Sequence, residues 1–577
     1  MKKTKLLAAI LAAVMVLSSL SGCSNSETEK ETNTSSENNT QTESEAENTE
    51  SDKEMVFNRY TNSVIVGLNP ILNTSAPDNR AHDLIAEPLV REVTAPGNQS
   101  EIIPAAAETW EISDDGLTYT FHLREGAKWS DGIDFTAGDF EYTLKLMADP
   151  AVGSTNAWLF DGIIVNFGEA LYSQGKTPDE IGVTAIDDTT LEIKLVHPAS
   201  YTLELLSSLY PVRQDKYEEW GDSYGSSVEK SLCSGPFMVE SWNQNTEFVV
   251  VKNPYHWNVD GMKLDKIVDK VIQEPATAIQ AFINGEIDVV STSDPNWASV
   301  IEDANVSTTE TVPSSAPEFL MFNLENKYLS NAKIRQALSI AYDRIDFVET
   351  LFNGQALPIY SVMPDSMMIG DKPYTELVEG KNYFVTQLQD ENPDPKALLA
   401  EGLKELGLSE DPSQVTIRYA SRGTSELSKK MAEWYKQTWE NALGITVDIE
   451  MMEWNIMWDR IDAGDFDIAV GGWGPYYNEP SAILTLFHPD NGYFNADKIG
   501  WYDKSADQFK ALCEKAVTVT DQKELANIYL EAEEILVKNA IISPEYLSSS
   551  PTFISNRVHN YYVSTNGYIN WANVTVD

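Results

Sequence analysis

Few side chains in this chain are spaced for covalent chemistry. Gly221-Asp222-Ser223-Tyr224-Gly225 has the G-x-S-x-G pattern of a hydrolase elbow, where a strained strand-to-helix turn exposes the serine. The elbow needs an apolar strand before it, and Lys216-Tyr217-Glu218-Glu219-Trp220 does not read as one. A secreted serine hydrolase using Ser223 is thus a remote alternative. Gly168 and Gly175-Lys176-Thr177 set two glycines seven apart, where a phosphate-binding loop needs five. His82, His122, His197, His256, His488 and His559 are scattered, with no pair at metal-ligand spacing. Cys233 and Cys513 have no C-x-x-C partner and read as core residues. The expectation from these spacings is no catalytic residue, no cofactor and no metal.

The elements that would position a binding site are legible. Tyr119, Phe121 and Leu123 alternate along a strand after the turn Ser113-Asp114-Asp115-Gly116. Leu191, Ile193 and Leu195 repeat the period of two, and Phe248 to Val251 reads as a buried strand. Ile334, Leu338, Ala341, Ile345, Val348 and Leu351 step by 3 or 4 and predict a helix that stops at Gly354. Leu427, Met431, Trp434 and Thr438 predict another, ending before Gly444. Leu525, Ile528, Ala532, Ile535 and Leu536 predict a third. Residues 275–284, Gly285 and Ile287-Asp288-Val289-Val290 read as helix, turn and strand, and Gly464 to Val470 follows the same logic. The fold class is α/β, or mixed α+β, with several sheets.

Composition narrows the partners. The 577 residues carry 41 Lys and Arg against 89 Asp and Glu, for a net charge of -48, while 42% are hydrophobic. The apolar share is enough for a large core. The acidity argues against nucleic acid, whose phosphates need basic groups, and against electrostatic adhesion to an anionic membrane.

The first residues read as an address. Lys2, Lys3 and Lys5 precede an apolar run from Leu6 to Leu20, too short for a spanning helix of roughly 20 residues. Leu20-Ser21-Gly22-Cys23 resembles a bacterial lipobox, which implies cleavage after residue 22 and lipidation of Cys23. Residues 24–54 are Ser, Thr, Asn and Glu-rich and cannot bury a core. They predict a flexible acidic tether of about 30 Å. No later apolar run is long enough to span a membrane.

The run from Pro104-Ala105-Ala106-Ala107-Glu108-Thr109-Trp110 to Lys128-Trp129-Ser130-Asp131-Gly132 resembles the signature of the peptide/nickel/opine solute-binding proteins of ABC importers. Gly235-Pro236-Phe237, Lys252-Asn253-Pro254-Tyr255-His256-Trp257, Gly285-Glu286-Ile287-Asp288, Ile334-Arg335-Gln336-Ala337-Leu338 and Tyr342-Asp343-Arg344 continue it over almost all of residues 56–577. The resemblance implies a type II periplasmic-binding-protein fold of three lobes with a hinged cleft. Domain I would be 55–91, 190–285 and 548–577, domain II 92–189, and domain III 286–547. It implies a lipid-anchored monomer on the outer face of the cytoplasmic membrane, extracellular or periplasmic, passing oligopeptides to ABC permease subunits. An oligosaccharide ligand is the alternative within the same fold, and a sensory or chaperone-like surface role another; sparse histidine disfavours nickel.

The same resemblance implies the ligand-binding residues. They are Thr74, Ser75 and Ala76 in a first-lobe loop, Phe322 and Asn323 on a cleft strand, and Trp454. Gly472, Trp473, Gly474, Tyr476 and Glu479 belong to the ligand-facing loop, and Tyr546 to the late hinge region. The family's oligopeptide binders usually carry Asp where this chain has Tyr476, and that Asp pairs with the peptide's α-ammonium. Either Glu479 takes its place, or the ligand has no amine there. Two tryptophans with Tyr476 and Tyr477 would also suit sugar stacking.

Overall fold

The computed structural model describes residues 54–577 except Thr74, Asp371, residues 379–382, Asn491 and Asn566; of Gln99, Trp454 and Asn455 it describes the backbone alone. Cys23 and the tether lie outside the described residues. Among the described residues no helix is long and apolar enough to cross a membrane.

Three larger sheets organise the chain. The first has the order Val56–Thr61, Lys266–Val271, Glu247–Lys252, Phe237–Asn243. Its outer pair, Val56–Thr61 with Lys266–Val271, is parallel. Phe248, Val249 and Val250 are buried in it, as the apolar run predicts.

The second sheet has the order Ala107–Ile112, Thr118–Leu123, Thr190–Lys194, Val183–Asp187, antiparallel throughout. Tyr119, Phe121 and Leu123 bury one face by strict alternation. The turn before them closes on Gly116, whose φ of +70° suits a residue without Cβ. Thr190–Lys194 belongs here, not with the first sheet as the boundary at 189 would have it. It is the hairpin partner of Val183–Asp187, and its Leu191 faces Phe121.

The third sheet has six strands in the order Ala356–Pro358, Ile542–Ser548, Pro317–Phe322, Ile468–Gly472, Thr416–Arg422, Thr446–Met452. Two helix readings change here. The stripe from Ile334 to Leu351 is split into Ala332–Ile340 and Arg344–Phe352. The Asp343 carboxylate between them accepts from the amides of Ile345 and Asp346, so it starts a new helix. In Glu426–Leu443 the buried stripe is Met431, Tyr435, Trp439 and Leu443, while Leu427 is exposed. Gly444 ends that helix at a φ of +78°.

A small three-stranded sheet joins these bodies. Pro551–Ser555 lies between Val289–Ser291 and Ser307–Thr311. Residues 289–311, expected in domain III, therefore pair with a strand expected in domain I. The chain passes from the six-stranded sheet to the small one through Ser549 and Ser550 alone. It also crosses between Ser307–Thr311 and Pro317–Phe322, where the Ser314 amide donates to the Ser548 carbonyl at 2.8 Å.

The buried Asp288 carboxylate clamps this junction. It accepts from the Asn58 amide at 2.6 Å and from Arg557 Nε and Nη2 at 2.5 and 2.8 Å. Arg557→Leu would leave that charge buried without its cation, a loss of roughly 3 kcal/mol. The expected outcome is a lower urea midpoint, with Asp288→Asn costing less than Arg557→Leu; equal midpoints for Arg557→Leu and the natural chain would count against the clamp.

Candidate functional site

Thr416–Arg422 runs parallel to both Thr446–Met452 and Ile468–Gly472, so their carboxyl ends open on one edge of the sheet. Ligands of open α/β sheets sit in the crevice outside such ends. A cavity of about 370 Å³ lies there, lined by Trp458, Gly472, Trp473, Gly474, Tyr476 and Tyr493. Its rings touch in series. Trp473 is 6.0 Å from Tyr476 and 5.4 Å from Tyr493, and Tyr493 is 5.7 Å from Trp458. Trp158 meets Tyr476 edge-on at 5.0 Å. It comes from the turn Ala157–Phe160, whose Ala157 and Phe160 belong to the core of the second sheet.

Glu318 stands opposite Gly472 in the strand register and is bonded by Arg422. A Cβ at Gly472 would come within 2.4 Å of the Glu318 carboxylate, so only glycine fits. Burial raises the Glu318 carboxyl above its ordinary value, while Arg422 holds it back.

The loop after Trp473 is sewn to the second core. Tyr477 stacks on Tyr201 at 3.9 Å and 10° between planes. The Asn478 amide donates to Glu204, and its side-chain amide donates to the Ser366 carbonyl. Glu479 accepts from Ser200 at 3.0 Å, Ser481 at 2.5 Å and Tyr529 at 3.3 Å. These partners are hydroxyls and not cations, so burial dominates. It pushes Glu479 up to about 7 and Glu204 up to about 8, with the Glu92 and Glu479 carboxylates acting further on Glu204.

The predicted site residues fall into three groups. Gly472, Trp473, Gly474 and Tyr476 come together around the cavity. Phe322 and Asn323 do not. They lie at the far end of Pro317–Phe322, where Asn323 donates to the Gly464 and Phe466 carbonyls. The antiparallel register brings the amino end of that strand, at Glu318, to the cavity instead. Glu479 is sealed in the seam, 3% exposed, and offers no free carboxylate to an ammonium. Tyr546 pairs with Glu318 in the register but packs its ring on Phe352 at 4.6 Å.

Ser75 caps the helix Ala76–Ile85 by accepting from the Asp78 amide, and Ala76 is exposed at its start. The neighbouring Asn73 carbonyl accepts from Thr155 at 2.5 Å. Thr74 and the side chain of Trp454 lie outside the described residues.

Sequence reasoning missed Trp458, Tyr493, Trp158 and the Ser200–Glu204 seam. Trp458 stands four residues after Trp454 in the helix Trp454–Asp462, a spacing that marks a shared face. Tyr493, Trp158 and the seam carry no periodic signal.

The hydrolase reading finds no elbow. The helix Gln214–Trp220 precedes Ser223, whose hydroxyl donates to the Trp220 carbonyl at 2.6 Å. Cys233 is buried, Cys513 half-buried, and burial pushes their thiols up to about 11 and 12.

The raised carboxyls set a pH dependence. Each binds its proton more tightly folded than unfolded, so its stabilisation is complete below the ordinary carboxylate value and is lost as pH rises through 7 to 8. The melting temperature of the natural chain should fall, from pH 5 to pH 9, by more than that of Glu204→Gln/Glu479→Gln. Parallel profiles would mean that the seam does not titrate.

Residues 101–495 match the family model described as bacterial extracellular solute-binding proteins, family 5 middle. The chain is 30% identical over 490 residues to the dipeptide-binding protein DppE of Bacillus subtilis, covering 84% of this chain and 86% of that protein. It is 30% identical over 521 residues to the periplasmic oligopeptide-binding protein OppA of Salmonella typhimurium, covering 89% and 90%. The solved structure of Listeria monocytogenes OppA bound to peptide superposes with a TM-score of 0.67 at 25% identity, over 91% of this chain and 99% of that one.

Proposed function

Because the chain belongs to the family 5 bacterial extracellular solute-binding proteins, we propose that it is the ligand-capturing component of an ABC importer and that its ligands are short peptides. The observation that carries this reading is the ring-lined cavity at the strand ends, faced across the cleft by Trp158. Relatives named for dipeptide and oligopeptide binding support the ligand class.

The lobes are those of the three larger sheets, and they close on ligand by bending at the crossings into the small sheet. Extended loops around the cavity pair with peptide main chain, while the rings supply apolar area. The protein releases its ligand unchanged and is not an enzyme. It acts as a monomer, acylated at Cys23 and tethered through residues 24–54 to the outer face of the membrane, where it meets the permease subunits.

An oligosaccharide is the second reading, favoured by the same run of rings, which could stack on sugars. Mass spectrometry of what co-purifies with the chain, released by denaturation, separates the two. A ladder of short peptides is expected, and a hexose series would replace the peptide reading. Trp473→Ala should weaken a bound peptide about tenfold or more in titration calorimetry, the cost of losing a buried aromatic anchor. Unchanged affinity would remove Trp473 from the site.

A further inference from the structure

Resting on the peptide reading, we infer that the ring-lined cavity receives the amino-terminal end of the ligand in uncharged form — an acylated terminus, with an aromatic first side chain favoured — and holds no free α-ammonium. Among the described residues its lining is four aromatic side chains and two glycines. The nearest ion pairs are closed on themselves. Glu318 beside Gly472 is bonded by Arg422. Asp462 pairs with Lys498 at 2.7 Å, and the Lys498 ammonium stands 4.3 Å from the centre of the Tyr493 ring. That cation already uses one ring and repels a second. Glu479 is bound to Ser200, Ser481 and Tyr529.

A ligand ammonium entering here would lose its water and meet no carboxylate among the described lining residues. The rings do not replace one. Trp158 and Tyr476 stand at 86° to each other, Trp458 and Tyr493 at 74°, and Trp473 and Tyr476 at 64°. In each of these pairs one ring's edge covers part of the other's face, and Trp473 and Tyr493 are tilted at 45° and 5.4 Å, so the ring faces a cation would need are partly taken by neighbouring rings. An amide or an aromatic ring gives up far less water and gains the same contact area.

The test is titration calorimetry of the full chain with two matched pairs of tetrapeptides. One pair is Phe-Ala-Ala-Ala with a free or an N-acetylated terminus, and the other is Ala-Ala-Ala-Ala in the same two forms. The acetylated form is expected to bind at least as tightly as the free one, and the Phe pair several-fold more tightly than the Ala pair. Tyr476 is half exposed, so Tyr476→Asp should fold normally, which a thermal melt verifies. It should shift preference toward the free amine by about tenfold or more. Tenfold tighter binding of the free amine to the natural chain overturns the inference while leaving the peptide reading intact. A free-to-acetylated ratio unchanged by Tyr476→Asp also overturns it, because the amino end is then elsewhere. Binding of neither form removes the peptide reading and this inference together.

Discussion

The strand Ile542–Ser548 is the constraint on which the cleft depends. It pairs with both Pro317–Phe322 and Ala356–Pro358 in the six-stranded sheet. Two residues later the chain is the central strand of a different sheet. So short a link cannot take up slack, and any opening of the cleft must appear as backbone rotation at Ser549, Ser550 and the parallel crossing near Ser314. The strand is fixed from beneath by Glu545, which is 1% exposed. Tyr342 and Tyr435 donate to its carboxylate, the latter at 2.7 Å, and Arg344 stands 3.7 Å away. Burial raises that carboxyl and Arg344 offsets the effect. Leaving such a group half-satisfied would cost more than an apolar core, so the network holds strand and helices in one arrangement.

The site inherits its precision from that rigidity. Its loops leave the carboxyl ends of neighbouring strands, so a shift of one strand would displace Gly472 against Glu318. The seam from Tyr477 to Glu479 adds a contact to another core through hydroxyls and buried carboxyls that burial shifts toward the protonated form. With no cation to lock it, this contact is cheaper to break than an ion pair in the same place.

Much of the fold was legible, and the losses have identifiable causes. Alternation at Tyr119, Phe121 and Leu123 needed only the period of a strand. The loop from Gly471 to Pro480 was legible as a motif, and four of its five chosen residues, Gly472, Trp473, Gly474 and Tyr476, line one cavity. Phe322 and Asn323 were misplaced because a sequence identifies a strand but not which of its ends faces a cleft; that is decided by the register with Ile468–Gly472. The split at Asp343 was hidden because apolar spacing continued through a capping residue. Trp158 and Tyr493 reach the site from loops far apart in sequence, and no local pattern encodes that meeting.

Charge acts at two ranges in this protein. The net charge of -48 attracts cationic solutes at long range, an effect that salt screens within about 8 Å at physiological strength. The cavity itself presents rings and backbone, with the Glu318 and Asp462 carboxylates beside it already paired. Encounter and selection are therefore governed by different terms. The surface raises the local concentration of basic ligands, but once a ligand is desolvated the cavity discriminates by shape and by the absence of an uncompensated charge. Selectivity at this end should then be largely insensitive to ionic strength even where the association rate is not, because the contacts that decide it are apolar and lie inside the screening length.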